Sequence, residues 1–171
     1  GATISDSQLQ QNPELIPTDP LLNEFLLWCE DWTGDVQYYS SDPATSDVYP
    51  AFKTNMGISA GGTATKSEFT LPEVDNVWIT FYARADSTNA SDSTSFSMSM
   101  TVGGETKTVI ASATLKGVSG TGTAVVTGDG WQTFTFPLAQ YFPDYNGKKA
   151  SVTLKVNGNV GIKVDNFTVT D

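Results

Sequence analysis

The sequence contains no histidine and only one cysteine, Cys29. Without histidine, the chain lacks the base of Ser-His-Asp and Cys-His catalytic sites and the imidazole ligands that many zinc sites use. A single cysteine cannot form a disulfide within the chain, and its position in the apolar run "FLLWCEDW" is typical of a buried, inert thiol. These absences exclude histidine-dependent catalysis and a disulfide framework.

Basic residues are also scarce. The chain has 9 Lys and Arg against 19 Asp and Glu, which gives a formal net charge of −10. Nucleic acids and anionic lipids bind clustered Lys and Arg, so this charge argues against both kinds of partner. It is compatible with divalent cations and with neutral ligands such as glycans. No apolar run approaches the ~20 residues of a membrane-spanning helix, so no transmembrane segment is predicted.

The length of 171 residues predicts one domain with a hydrophobic core and a short extension. Residues 1–23, "GATISDSQLQQNPELIPTDPLLN", contain three prolines and no strong hydrophobic period, which is typical of a tether or strap. We therefore expect an N-terminal extended segment over 1–23 and a folded domain over 24–171.

Alternation of apolar and polar residues with period two is the main structural signal, and it predicts β-strands. In "NVWITFYARA" (76–85), one face is apolar and the other carries Trp78, Thr80, Tyr82 and Arg84. The runs "TSFSMSMTV" (94–102) and "ASVTLKVN" (150–157) alternate in the same way, and "GIKVDNFTVT" (161–170) closes the chain. Weaker strand predictions cover 24–33, 56–60, 65–70, 107–115, 122–127 and 131–137. Such short strands separated by turn signals predict an antiparallel sandwich or barrel, and no segment predicts a helix.

Four segments, in order along the chain, resemble the motifs of jelly-roll β-sandwiches of the galactose-binding-like and carbohydrate-binding-module type. The run "FLLWCEDWTG" resembles their first strand, and "AGGTATKSEFTLPEVDNVWITFYARA" resembles their glycine-rich turn and the strand with an F-x-A-R ending. The run "GDGWQTFTFPL" resembles their G-x-W-x-x-F-x-F strand, and "VGIKVDNFTVTD" resembles their terminal strand. The resemblance implies an all-β, antiparallel two-sheet jelly-roll β-sandwich with an N-terminal extended segment.

The N-terminal segment also resembles that of surface lipoproteins of Bacteroidetes. This second resemblance implies a secreted or cell-surface protein with a lipid anchor upstream of Gly1. Partners in the cell envelope would then be proteins as well as glycans.

The segment "CEDWTG" (29–34) places two acids, Glu30 and Asp31, at the end of a predicted strand, although acids are depleted from strands. In many sandwiches of the type that this chain resembles, a structural calcium joins the first strand to the last. The resemblance implies a ligand set of Glu30 or Asp31, backbone carbonyls within 57–62, and Asp165. Calcium takes about six to eight oxygens, which suits this set. The alternative is that the acids are simply solvated at strand ends.

Two surfaces are candidates for glycan contact. On the polar face of 76–85, Trp78, Tyr82 and Arg84 would stand outside one sheet, with Ser97, Ser99 and Thr101 on a neighbouring strand. Residues four apart on a strand lie about 13 Å apart, which suits two sugar rings along a chain. Alternatively, the N-terminal segment covers this face.

The second candidate surface is formed by loops. The segment 35–52 carries Tyr38, Tyr39 and Tyr49, and the segment "QYFPDYNG" carries Tyr141 and Tyr145. Loop residues carry function more often than core residues, so we favour the loops over the sheet face. Alternatively, either loop plugs the end of the sandwich.

Glycoside hydrolysis needs two carboxylates and no histidine, so the composition alone does not exclude it. None of the candidate acids lies in a motif that indicates a deep cleft, and we predict no enzyme. We predict a non-catalytic domain of the carbohydrate-binding-module type. The alternative is a structural or adhesion domain of a cell-envelope complex without a small-molecule ligand. The acids considered above as candidates for glycoside hydrolysis are Glu30, Asp31, Glu68, Glu73, Asp144 and Asp165.

Overall fold

The computed structural model describes residues 31–39, 55–117 and 131–170. Ten strands and one turn of 3₁₀ helix, Leu138–Gln140, account for most of these residues. The predicted tether over 1–23, most of the strand prediction 24–33 and the strand prediction 122–127 lie outside them. The strands are β1 (Thr33–Gly34), β2 (Val36–Tyr39), β3 (Asn55–Ile58), β4 (Thr63–Thr70), β5 (Trp78–Ala85), β6 (Ser93–Val102), β7 (Glu105–Lys116), β8 (Gln132–Pro137), β9 (Lys149–Val156) and β10 (Ile162–Thr170).

The strands form two antiparallel sheets that pack face to face. We call them sheet A, with strand order β1-β4-β9-β6-β7, and sheet B, with strand order β2-β3-β10-β5-β8. The predicted all-β jelly-roll sandwich is confirmed. Within the described ranges, the helical turn is far shorter than a bilayer-spanning helix would be.

The alternating segments face the core as predicted. The apolar positions of β5, β6 and β9 are all buried, because successive side chains on a strand point to opposite sides of the sheet. At the centre, the Phe81 ring stacks on Phe134 at 5.0 Å and on Phe167 at 5.1 Å between ring centroids. Phe96 meets the Phe81 ring edge-on at 6.1 Å, which ties the two sheets together.

Two sequence predictions are wrong, one about the neighbours of β5 and one about a loop. Ser97, Ser99 and Thr101 lie on β6 in sheet A, whereas the neighbours of β5 in sheet B are β10 and β8. Alternation gives the face of a strand but carries no information on its partner. The segment 36–39, assigned to a loop, is the edge strand β2, and its four residues are too few to produce a visible period.

Candidate functional site

The outer face of sheet B, which points away from the core, carries the predicted aromatic strip on β5. Trp78 is 43% exposed, Tyr82 is half-buried, and Arg84 is only 6% exposed. The three side chains share this face because they alternate with the core residues Ile79, Phe81 and Ala83. The strip therefore runs from an exposed aromatic ring at one end of the strand to a buried cation at the other.

Trp78 stands among small and hydroxyl-bearing neighbours. It lies opposite Pro137 in the β5–β8 register, and Thr80 lies opposite Thr135. The hydroxyls of Thr80 and Thr135 are 2.9 Å apart, and Thr135 is exposed. An exposed indole beside paired hydroxyls offers an apolar platform for the face of a sugar ring and hydrogen-bond partners for its hydroxyls.

The opposite end of the same face is polar but closed to solvent. The Arg84 guanidinium lies over the Trp131 ring, with 5.0 Å from Cζ to the ring centroid. Asp165 lies opposite Tyr82 on β10 and is only 2% exposed, and Asn55 on β3 is also buried. This end is a buried polar cluster, so the accessible part of the face is the end around Trp78.

Trp131 was not among the residues predicted for a site, although the sequence contained a signal for it. Phe134 and Phe136 lie on the core side of β8, so alternation places Trp131 and Thr135 on the outer face. The resemblance of the motif "GDGWQTFTFPL" to a sandwich strand predicts the strand but assigns no role to Trp131.

Among the loop tyrosines of 35–52, the structure describes the side chain of Tyr38. It is 40% exposed at the edge of sheet B. Its phenolic oxygen accepts a hydrogen bond from the Trp32 N–H at 2.7 Å, and its hydroxyl lies 3.3 Å from the Trp32 carbonyl oxygen. Tyr38 thus holds the backbone beside a core residue while one side of its ring remains accessible. The side chain of Tyr39 and all of Tyr49 lie outside the described part of the chain.

The second predicted loop plugs the end of the sandwich, which was the alternative interpretation. Tyr145 is 3% exposed, its hydroxyl donates to the carbonyl of Val74, and its oxygen accepts from the Val77 N–H at 3.3 Å. Phe142 is buried, and Tyr141 packs edge-on against Phe136 with ring centroids 5.4 Å apart. A ligand on the surface would not reach Tyr145, and Tyr141 is only partly accessible.

The described residues supply only part of the predicted calcium ligand set. Asp31 is exposed at a backbone φ of 57°, Asp165 is buried, and Glu30 lies outside the described residues. In the described ranges, no three His, Cys, Asp or Glu side chains come together.

The carbonyls of the glycine-rich turn are engaged by other donors. The Gly61 carbonyl accepts from Lys155 Nζ at 2.6 Å, and the Gly62 carbonyl accepts from the Val156 N–H at 2.9 Å. The ammonium of Lys155 thus binds one of the backbone carbonyls within 57–62 that the prediction offers to calcium. The calcium site stays a prediction.

No protein-family model matches the chain, and no curated protein matches it significantly. The chain is similar to the solved carbohydrate-binding module TmCBM61 in complex with β-1,4-galactotriose, with a TM-score of 0.50 and 10% identity over 82% of this chain and 88% of that one. At this identity, the likeness establishes the sandwich fold alone.

Two further solved structures give lower scores. The CBM22-1–GH10 modules of Clostridium thermocellum xylanase 10B, complexed with xylohexaose, match 85% of this chain with a TM-score of 0.49 and 15% identity, and this chain spans 27% of their length. The C-terminal CBM6 of LamC from Zobellia galactanivorans matches 81% of this chain and 95% of its own length, with a TM-score of 0.45 and 17% identity.

Proposed function

We propose that this chain is a non-catalytic carbohydrate-binding domain and that the glycan contacts the outer face of sheet B around Trp78. The observation that carries the proposal is the exposed Trp78 indole beside the Thr80–Thr135 hydroxyl pair. A large aromatic ring that a sandwich leaves in solvent, on a face lined with hydroxyls, suits stacking against a sugar. The likeness to a carbohydrate-binding module supports the fold that this surface requires.

The absence of catalysis is part of the proposal. Of the described candidate acids, Asp31, Glu68, Glu73 and Asp144 are exposed, and Asp165 is buried beneath the outer face of sheet B. A glycosidase places two carboxylates on opposite sides of one glycosidic bond in a cleft. Glu68 and Asp165 belong to different sheets, which supports a binding role over hydrolysis.

The cellular setting is proposed from the sequence alone. A secreted or cell-surface location, a lipid anchor as in Bacteroidetes surface lipoproteins, and a structural calcium held by Glu30 or Asp31 and by Asp165 all belong to the resemblance. None of these features is needed for the Trp78 surface to bind a glycan, so each is tested separately.

A structural or adhesion role is the second candidate. The observation that favours it is that, among the described residues, Tyr38 and Trp78 are the only large hydrophobic side chains that are exposed. Most other aromatic side chains of the described residues pack inward. A domain that serves as a spacer or assembly partner needs no aromatic strip.

Titration of the protein with soluble polysaccharides, followed by calorimetry and by affinity gel electrophoresis, distinguishes these roles. The ligands of the two solved neighbours make β-1,4-galactan and xylan the first probes. We expect Trp78→Ala to weaken binding at least tenfold, since truncation of an aromatic anchor costs about 2 kcal/mol or more. Tyr38→Ala removes an equally exposed ring from the sheet edge and is the matched control.

Binding that survives Trp78→Ala but is lost in Tyr38→Ala would move the site to the edge of sheet B. A folded wild-type protein that binds no polysaccharide in a broad panel would contradict the proposed function and favour the structural role. The folded state of each variant is checked by near-ultraviolet circular dichroism.

A further inference from the structure

A groove of about 520 Å³ crosses one end of the outer face of sheet A, on the opposite side of the sandwich from Trp78. It spans three neighbouring strands, from the bulge in β4 at Glu68, across the start of β9, to the turn between β6 and β7. Adjacent strands are about 4.8 Å apart, so the groove is wide enough for one sugar ring. Its volume lies within the usual range of small-ligand sites, about 300–1,000 Å³.

Two consecutive lysines, Lys148 and Lys149, line this groove, and they are the only adjacent basic residues in the sequence. Their backbone is fixed by three hydrogen bonds. The Lys148 N–H donates to the Tyr145 carbonyl at 3.0 Å, and the Lys148 and Lys149 carbonyls accept from the N–H groups of Leu71 and Gly103 at 2.8 and 2.9 Å. The backbone that carries the two lysines is therefore fixed by the fold.

The two lysines differ in their surroundings. Lys149 Nζ lies 3.3 Å from the Glu68 carboxylate, so its charge is partly compensated. The Lys148 stem crosses Gly103, where an added Cβ would come within 2.7 Å of Lys148 Cδ. Within the described part of the chain, Lys148 forms no ion pair. Its ammonium is exposed, and it is available to an anionic ligand.

The floor of the groove offers hydroxyls in place of aromatic rings. Thr101 and Ser151 lie directly opposite each other on β6 and β9, and both are partly accessible. Thr101 is also 2.7 Å from the Thr106 hydroxyl, which fixes its orientation. Gly104 borders the groove, and an added Cβ there would meet nothing within 4 Å, so the approach from solvent is open.

We propose that this groove binds a negatively charged sugar unit, and that the unit is a uronic acid. Lys148 takes the carboxylate, and Glu68, Thr101 and Ser151 take the ring hydroxyls. The inference rests on the proposed glycan-binding function and adds a second site with its own ligand class. The net charge of −10 does not oppose it at physiological salt, because the Debye length is then about 8 Å and only nearby charges act on a bound ligand.

The test compares three polysaccharides in calcium-free buffer: polygalacturonate, which carries carboxylates, a sulfated galactan, and neutral β-1,4-galactan. The key variant is Lys148→Met, which keeps a long stem over Gly103 and removes the charge. Lys148→Arg retains the charge. Lys116→Met removes an exposed lysine from β7, outside the groove, and is the matched control.

We expect Lys148→Met to weaken polygalacturonate binding about tenfold, because it removes a charge-assisted hydrogen bond to the carboxylate. Lys148→Arg should stay within about threefold of wild type, and Lys116→Met should be unchanged. Binding should also weaken as salt is raised. Neutral galactan should be insensitive to Lys148→Met and sensitive to Trp78→Ala.

Polygalacturonate binding that is equal in wild type and Lys148→Met would overturn the inference. So would a wild-type protein that binds neutral galactan through Trp78 but not polygalacturonate, and the proposed function would then stand without the second site. Preference for the sulfated galactan with the same Lys148 dependence would keep the groove and overturn the assignment to uronic acid. Absence of binding to all three polymers would overturn the inference, whereas the proposed function is contradicted only if the wild-type protein also binds nothing in the broad polysaccharide panel.

Discussion

The Arg84 guanidinium lies over the Trp131 indole, 5.0 Å from the ring centroid, and both side chains are almost fully buried on the outer face of sheet B. The pairing of Ala83 with Gln132 places these two residues side by side on neighbouring strands. A cation–π contact removed from water contributes about 2 kcal/mol. This pair therefore lies at the buried end of the face, and the other end, around Trp78, is accessible to a ligand.

This contact predicts different costs for two substitutions at Trp131. Trp131→Ala should destabilise the fold by about 3–5 kcal/mol, because it removes a buried ring and the contact with Arg84. Trp131→Phe should cost less than half of that. It keeps a ring under the guanidinium, and the buried indole Nε1 has no hydrogen-bond partner among the described residues. Urea unfolding measures both values, and equal costs would show that the indole nitrogen has a role.

The structure leaves no room for a side chain at Gly158 unless Thr94 moves. A Cβ there would come within 2.1 Å of Thr94 Oγ1 and 2.9 Å of Thr94 Cβ, and Thr94 is buried. We expect Gly158→Ala to destabilise the protein by about 1–3 kcal/mol through overpacking. In a Thr94→Ala background the same change should cost at least about 0.5 kcal/mol less, which a double-mutant cycle measures. Additive effects would contradict a direct clash.

Tyr145→Phe distinguishes a structural role of Tyr145, in the loop that closes the end of the sandwich, from its predicted role in glycan binding. The change removes the hydroxyl that bonds to Val74 and Val77 and keeps the ring in place. We expect a loss of about 1–2 kcal/mol in unfolding free energy, since the buried Val77 N–H and the partly buried Val74 carbonyl lose a partner. Glycan affinity should not change. A loss of affinity with unchanged stability would return Tyr145 to the ligand surface.

The calcium prediction is tested by thermal unfolding with excess calcium and with EDTA. An ion that binds only the folded state adds about 2.7 kcal/mol when its free concentration is a hundredfold above Kd, and the Tm rises accordingly. One of the two variants Asp31→Asn and Glu30→Gln should abolish the rise, and because Asp31 is exposed the Asp31→Asn protein should still fold. Asp165 is a poorer choice because it is buried. A Tm that is identical in calcium and EDTA would contradict the prediction.

The residues of the candidate site show where sequence-based reasoning reaches its limit. Alternation in 76–85 correctly placed Trp78, Tyr82 and Arg84 on one face of a strand. It gave no means of telling that Trp78 is exposed and Arg84 buried, because exposure depends on residues distant in sequence, such as Trp131, whose ring lies against Arg84. Tyr145 looked like an exposed loop aromatic, and its burial follows from bonds to residues about 70 positions earlier in the chain.

The sequence by itself determined the longer alternating strands β5, β6 and β9 and their core faces, since period two is a local property of the extended backbone and needs no knowledge of the partner. It also excluded histidine chemistry and disulfides by composition. The tertiary structure decided which strands are neighbours, placing β6 in sheet A and β5 in sheet B. It alone brought Glu68, Thr101 and Lys148 to one groove, because pairing between distant strands is set by the packing of the whole sandwich.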